Sequence, residues 1–311
     1  CVYWDAVNRI WSCDGSIKVE ETDNWVVCHF YHLTNFATLM VYSCGNVKNN
    51  VLATVSLVGE SVSSFCLVLT ILSFLCVPNL RNGSRLRGAV LLVNLSMALL
   101  LLNVLLMLSE QKFVKTSRDS CLVVGVLLHF ALLASFSWMM VEAVNLCLII
   151  VTPIYNRVHV NDKIVFILSH GWGWLVPSLF VAIICGVDLT VYRRCDDNEC
   201  WMKPNMIVYF VIIPMSVVFI FNITAYIAVV VALNSCKNKY FILQSSSNTC
   251  SAKRNAAMSV TTFVLLGLTW VFGFGISGRC DDLVRYVFVV FNSLQGFFIF
   301  CLFIVRNKSV R

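Results

Sequence analysis

The sequence predicts an all-α membrane protein, a seven-transmembrane helix bundle behind a short β-rich extracellular prefix. Three observations predict it. The 311 residues are 59% hydrophobic and only 13% charged, with a mean hydropathy of +0.82; soluble domains carry about 25% charged residues. After residue 50 the apolar residues gather into seven runs, each bounded by charges, Pro or Gly, and each near the roughly 20 residues a helix needs to cross the hydrocarbon core. The runs lack the alternation of barrel strands, so helices, which satisfy their own backbone, are the form that fits lipid. The same composition excludes a disordered chain and makes an ordinary water-soluble enzyme a poor fit.

Residues 1–50 are polar and aromatic-rich and hold three of the 15 cysteines within the first 28 positions. The chain opens at Cys1, with neither Met nor a signal peptide, and is expected to be a fragment of a longer precursor. The seven runs are 51–77, 88–108, 121–151, 163–187, 206–233, 256–276 and 283–305, and residues 306–311 begin a tail. The third run, at 31 residues, is too long for an upright span and implies tilt or a projecting end.

Seven spans put the termini on opposite sides. With the N-terminus outside, the inner segments hold twelve Lys and Arg, the outer loops eight and the N-terminal segment three, the bias expected of cytoplasmic loops. Cysteines crowd the outer side, where disulfides persist. The sequons at Asn82, Asn94, Asn222 and Asn307 all fall within spans or on the inner face. The formal charge of +7 hints at nucleic acid or anionic lipid. It lies in loops between apolar runs, which points to lipid headgroups and to a partner on the inner face. That face carries Arg81, Arg85, Arg87, Lys237, Lys239, Lys253 and Arg254.

In the prefix, Cys1, Trp4, Trp11, Cys13, Trp25 and Cys28 read as the stapled end of a β-domain. His32-Leu33-Thr34 follows. A Thr34 hydroxyl can attack the Leu33 carbonyl, turning the peptide into an ester that water then hydrolyses, with His32 as general base. The tripeptide alone also arises by chance.

Context sharpens this. Cys1-Val2-Tyr3-Trp4, the later Trp and Cys, and His32-Leu33-Thr34-Asn35-Phe36-Ala37 ahead of seven helices resemble the adhesion family of G-protein-coupled receptors. So do Ser137-Trp138-Met139-Met140-Val141-Glu142, Gly171-Trp172-Gly173, Cys200-Trp201, Leu266-Gly267-Leu268-Thr269-Trp270 and Asn292-Ser293-Leu294-Gln295-Gly296. The wording of spans 3 and 7 looks most like the G subgroup.

The resemblance implies that residues 1–33 end an autoproteolysis (GAIN/GPS) domain, 34–50 are a tethered agonist with its linker, and 51–305 are the seven-transmembrane domain. It implies cleavage between Leu33 and Thr34, with the N-terminal fragment held non-covalently. Thr34, Asn35, Phe36, Ala37, Thr38, Leu39 and Met40 would then enter the bundle as a tethered agonist, with Phe36, Leu39 and Met40 as apolar anchors. Spacings of three and four put those anchors on one helical face. The plainer reading is a strand of the preceding domain, and the two are compatible as two states. The family's prefix has four paired cysteines, the fourth where this chain has Phe30. That leaves Cys1 to pair with Cys28, and Cys13 unpaired or with an unusual partner such as Cys44. The resemblance further implies a Cys121–Cys200 disulfide pinning the second outer loop over the bundle. Cys195 and Cys280 are a further candidate pair. Cys236 and Cys250 are inner thiols or palmitoylation sites.

Ionisable groups within spans are functional by default; here they are Glu60, His129, Glu142 and His170. Glu142 lies about 31 Å below Cys121 along a helix, near the inner side, where the resemblance makes it a switch; a structural carboxyl is the plainer reading. Asn145-Leu146-Cys147 departs from the family's His-Leu-Tyr pattern there. His129 is either pocket-lining or a satisfied bundle histidine. The expected pocket comprises His129, Phe130, Trp201, Trp270, Phe288 and Asn292. The switch comprises Glu142, Gly267, Trp270, Gln295 and Gly296, with the glycines making a weak point beside the Trp270 toggle.

No metal cluster or phosphate-binding loop is present in the sequence, so no cofactor is expected. The chain is read as a plasma-membrane receptor, N-terminus outside, with partners in a heterotrimeric G protein, the N-terminal fragment, an unidentified extracellular ligand and membrane lipid, and no nucleic acid. It is no enzyme beyond single-turnover self-cleavage. The alternative is an adhesion protein whose bundle only anchors it. A transporter would show inverted repeats or several deep charges, and neither is visible.

Overall fold

The computed structural model describes residues 2–5, 10–12, 16–21, 26–31, 36–37, 50–78, 86–155, 161–192, 200–240 and 289–305. Cys1, Cys13, His32, Leu33, Thr34, Asn35, Thr38, Leu39, Met40, Cys44, Cys195, Cys250, Gly267, Trp270, Cys280 and Phe288, with the whole sixth run, lie outside the described residues.

The prefix forms short strands. β1 (Val2–Asp5), β2 (Ile10–Ser12) and β5 (Phe36–Ala37) make an antiparallel sheet in the order β2-β1-β5. β3 (Ser16–Glu21) and β4 (Val26–Phe30) make a second antiparallel pair. The Ile17-Lys18-Val19-Glu20 alternation has the period of a strand. A register shift between Lys18 and Glu20 leaves Val19 at a bulge, 54% exposed. Within the agonist segment, Tyr3 pairs with Phe36 and Val2 with Ala37. Cys28 is disulfide-bonded; its expected partner, Cys1, is outside the described residues.

Five helices among the described residues are long and apolar enough to cross a membrane: Thr54–Cys76, Leu86–Ser109, Arg118–Ile149, Asp162–Val187 and Val208–Ala232. They are spans 1 to 5. Span 7 is described over 289–305, with a shorter apolar helix at Gln295–Val305. The helix of span 3 runs Arg118–Tyr155, longer at both ends than its apolar run. At its start the Ser117 hydroxyl accepts from the Ser120 N–H at 3.4 Å, and Asp119 sits in the first turn, favourable at a helix N-terminus. Asn161 begins span 4 in the same way, its side chain accepting from the Lys163 N–H at 2.9 Å.

Two spans carry a π turn just ahead of a proline. Gly171–Leu175 precedes Pro177 and Val208–Ile212 precedes Pro214. Proline has no N–H and its ring collides with the carbonyl four residues back. The wider turn makes room, and the bonds Val176 N–H to Gly171 C=O and Ile213 N–H to Val208 C=O step over the gap. Spans 2 and 5 pack along span 3, and span 1 packs on spans 2 and 7. One core gathers Leu67, Leu91, Leu95, Ala98 and the fully buried Trp138. A second gathers Leu102, Leu128, Tyr192 and Met202 beneath the second outer loop.

Candidate ligand cavity and bundle core

Cys121 and Cys200 are joined by a disulfide. One turn below Cys121, Gly125 lies directly under the loop: a Cβ there would meet the Cys200 carbonyl oxygen at 3.3 Å. Covalent bond and missing side chain together seat the loop on span 3. Within the loop, the Lys203 N–H donates to the Val191 carbonyl at 2.9 Å and Met202 is fully buried.

Beneath Cys200 and Trp201 lies a cavity of about 430 Å³, within the range of ligand sites. Spans 1, 2, 3 and 7 all reach it. Leu102, Leu106, Leu128 and Leu132 make its apolar wall. Glu60, Glu110, Asn292 and Gln295 supply polar groups. The Nε2 of Gln295 is buried without a hydrogen-bond partner. Of the sequence-predicted pocket residues, the cavity brings together Trp201 and Asn292.

His129 and Phe130 stand elsewhere. His129 is fully buried behind Trp201, the two rings edge-on at 6.3 Å. Its Nδ1 lies 2.8 Å from the Tyr192 hydroxyl and its Nε2 3.0 Å from the Phe210 carbonyl. A carbonyl only accepts, so Nε2 carries the proton and Nδ1 accepts from Tyr192. Burial holds the Tyr192 phenol above its usual range, which keeps it a donor. The Phe210 carbonyl is the one that Pro214, four residues on, leaves without its helical donor. His129 thus ties span 3 to the loop and mends span 5. Phe130 faces the other way, against Trp174 of span 4 at 6.2 Å.

Deeper in, small residues knit spans 1, 2 and 7. The Ser63 hydroxyl oxygen accepts from Asn103 Nδ2 at 3.2 Å and from the Gly296 N–H at 2.8 Å. A Cβ on Gly296 would collide with Ser63 and Leu67, and one on Gly59 with Ser293. Leu294, at φ −94° and ψ 7°, interrupts span 7 just before Gln295. Across the bundle, Trp138 lies flat against Gly173, where a Cβ would enter the indole ring. Trp174 Nε1 donates to Asn94 Oδ1 at 3.0 Å. Trp138 also meets Trp174 at 5.8 Å and His170 at 5.4 Å, both edge-on. Toward the inner end, Asn145 hydrogen-bonds the Glu142 carboxylate, and the Cys147 thiol donates to the Ala225 carbonyl of span 5 at 3.7 Å. At the inner rim Arg87 pairs with Asp162 at 2.9 Å.

Sequence reasoning gave Ser63, Asn103 and Glu110 no role. Gly296 was the available signal for close packing, but its partner is 233 residues away. Among the described residues no His, Cys, Asp and Glu cluster could hold a metal ion.

Comparison with known proteins follows the two parts of the chain. Residues 49–299 match the family described as 7 transmembrane receptor (Secretin family), and residues 1–43 match GAIN subdomain B. The chain is 32% identical over 322 residues to adhesion G-protein coupled receptor G4 of Homo sapiens, which covers all of this chain and 10% of that protein. It is 29% identical to receptor G2 of Mus musculus, covering all of this chain and 32% of the relative. Receptor E3 of Homo sapiens is 30% identical, with 46% of its length matched. The chain therefore spans less than half the length of these relatives.

Proposed function

Because the chain belongs to the adhesion G-protein-coupled receptors, seven-transmembrane receptors of the secretin family with a GAIN subdomain B ahead of the bundle, we propose that it cuts itself between Leu33 and Thr34 and signals when the segment from Thr34 enters the cavity. His32 takes the Thr34 hydroxyl proton as the oxygen attacks the Leu33 carbonyl. The amide C–N bond breaks, the departing nitrogen takes the proton, and an ester forms. Water hydrolyses it, leaving a Leu33 carboxylate and restoring the Thr34 hydroxyl.

The observation that carries this reading is the pairing of Phe36–Ala37 as β5 against β1, in a receptor whose loop-roofed cavity of about 430 Å³ is otherwise available. As a strand the segment is held; once free it folds with Phe36, Leu39 and Met40 on one helical face. Tethering gives it a high effective concentration, so modest affinity is enough. Trp201, Trp270, Phe288 and Asn292 contact the anchors. Trp270 with Gly267, and Gln295 with Gly296, pass the change inward to Glu142. The inner half then opens to a heterotrimeric G protein on the cytoplasmic face, the N-terminus lying outside.

The test is GTP exchange on a panel of purified G proteins. Membranes would carry the chain from Thr34, alone or with Phe36→Ala or Met40→Ala, at matched surface levels. Strong exchange that collapses in both variants is expected. Exchange untouched by both removes the tethered agonist. No exchange on any G protein by a folded, surface-expressed chain favours a bundle that only anchors an adhesion protein.

A further inference from the structure

Glu60 has no role in that scheme, yet it stands in the cavity wall. It lies on span 1, about 9 Å inside the outer end at Thr54. Its recorded partner is a neutral hydroxyl: Ser56 Oγ donates to Oε1 at 2.7 Å. Among the described residues no Lys or Arg reaches it. Glu110, at the outer end of span 2, lines the same cavity. Its one cation, Lys115 at 2.8 Å, sits in a solvent-exposed pair, with the Glu110 side chain 72% exposed, where ion pairing is weak. The described lining contains two carboxylates and no basic side chain.

A carboxylate within a span without a counter-charge is expensive, and its partner is commonly the ligand. The rest of the cavity narrows the ligand. Its wall is leucine and Trp201, and Gln295 offers an unpartnered, buried N–H donor. The complementary molecule has a cationic head, an apolar body and a carbonyl: a peptide with a free amino terminus. A peptide still joined at its N-terminus offers a neutral amide there instead.

Resting on the proposed activation, we infer that Glu60, aided by Glu110, receives the α-ammonium group that cleavage creates on Thr34. Cleavage then does more than release the segment. It makes the charge by which the cavity tells a cut chain from an uncut one. Glu60 is a binding residue for that terminus, and Ser56 positions its carboxylate.

The experiment uses the full chain in membranes, with Phe36→Ala and Met40→Ala silencing its own segment. Synthetic peptides with the sequence of residues 34–43 are added, either with a free amine or N-acetylated. That sequence contains no Lys or Arg, so the α-amine is its one cation. GTP exchange gives the half-maximal concentration of each. Acetylation should weaken the peptide about ten-fold, as loss of a charge-assisted contact does, and Glu60→Gln should bring the two peptides level. Glu60→Asp, which keeps the charge on a shorter arm, should leave a reduced ratio and serves if Glu60→Gln fails to reach the surface. Equal potency on the unaltered cavity, or an acetylation penalty that survives Glu60→Gln, overturns this inference while leaving the tethered agonist standing. Two peptides inactive at every concentration overturn the tethered agonist itself, and this inference with it.

Discussion

Two seams run through the bundle and are built from opposite materials. Spans 1, 2 and 7 meet through hydroxyls, an amide and bare glycine backbone: Ser63, Asn103, Gly59, Ser293 and Gly296. Spans 3 and 4 meet through indoles, with Trp138 on Gly173 and Trp174 edge-on to it. The polar seam borders the cavity and includes the break at Leu294. The aromatic seam does not border it. Hydrogen bonds around one shared hydroxyl can exchange partners at small net cost, since a bond in a bundle is worth only about 0.6 kcal/mol on average. An indole fitted against a glycine has one good arrangement. The contrast assigns movement to the first seam and fixed framework to the second.

The strongest way to break that contrast is Trp138→Ala. Emptying so large and fully buried a site should cost about 3–5 kcal/mol and abolish surface expression or sharply lower the melting temperature of the purified receptor. Gly173→Leu should act alike, because the new side chain enters the ring. Normal melting in both would mean the aromatic seam is no framework. His129→Leu comes next. It leaves the Phe210 carbonyl and the Tyr192 hydroxyl unpaired, for a loss of about 1–3 kcal/mol; His129→Gln, which can still donate, should recover part of the melting temperature.

Ser63→Ala probes the mobile seam. It should shift melting by only about 1 kcal/mol yet change basal GTP exchange several-fold, because it frees Asn103 and the Gly296 N–H together. A variant that melts lower with signalling unchanged would make this seam another piece of framework. The smallest effect belongs to Asn94→Leu, which removes the bond to Trp174. About 0.6 kcal/mol is expected, with signalling intact, as measured by melting and exchange on one preparation.

Much of this architecture was legible beforehand because spans announce themselves by composition. The described helices begin and end within a few residues of their apolar runs, apart from span 3 with its polar extensions at Arg118 and Tyr155. The Cys121–Cys200 bond followed from resemblance to the adhesion receptors. Rotation about each helix axis was not legible. A helix apolar all round gives no sign of which side faces inward, so Phe130 was expected in the pocket and instead faces Trp174. The satisfied histidine, the plainer reading of His129, is what the hydrogen bonds describe. Pro177 and Pro214 were visible as irregularities, but a π turn and the histidine that mends it depend on a neighbouring helix, and pairing across 81 positions leaves no local trace. Ser63 illustrates the same blindness: one hydroxyl among many until Gly296 arrives beside it.

The prefix sheet has a mechanical consequence. β5 is paired through two residues, on the side of β1 away from β2. A strand in that position leaves without disturbing the β1–β2 pairing. Pulled from one end, its hydrogen bonds part in succession instead of all at once, so a slow, gentle tug can achieve what a parallel shear would need far greater force to do. The direction of pull on the prefix, as much as its strength, would then set how fast the segment comes free.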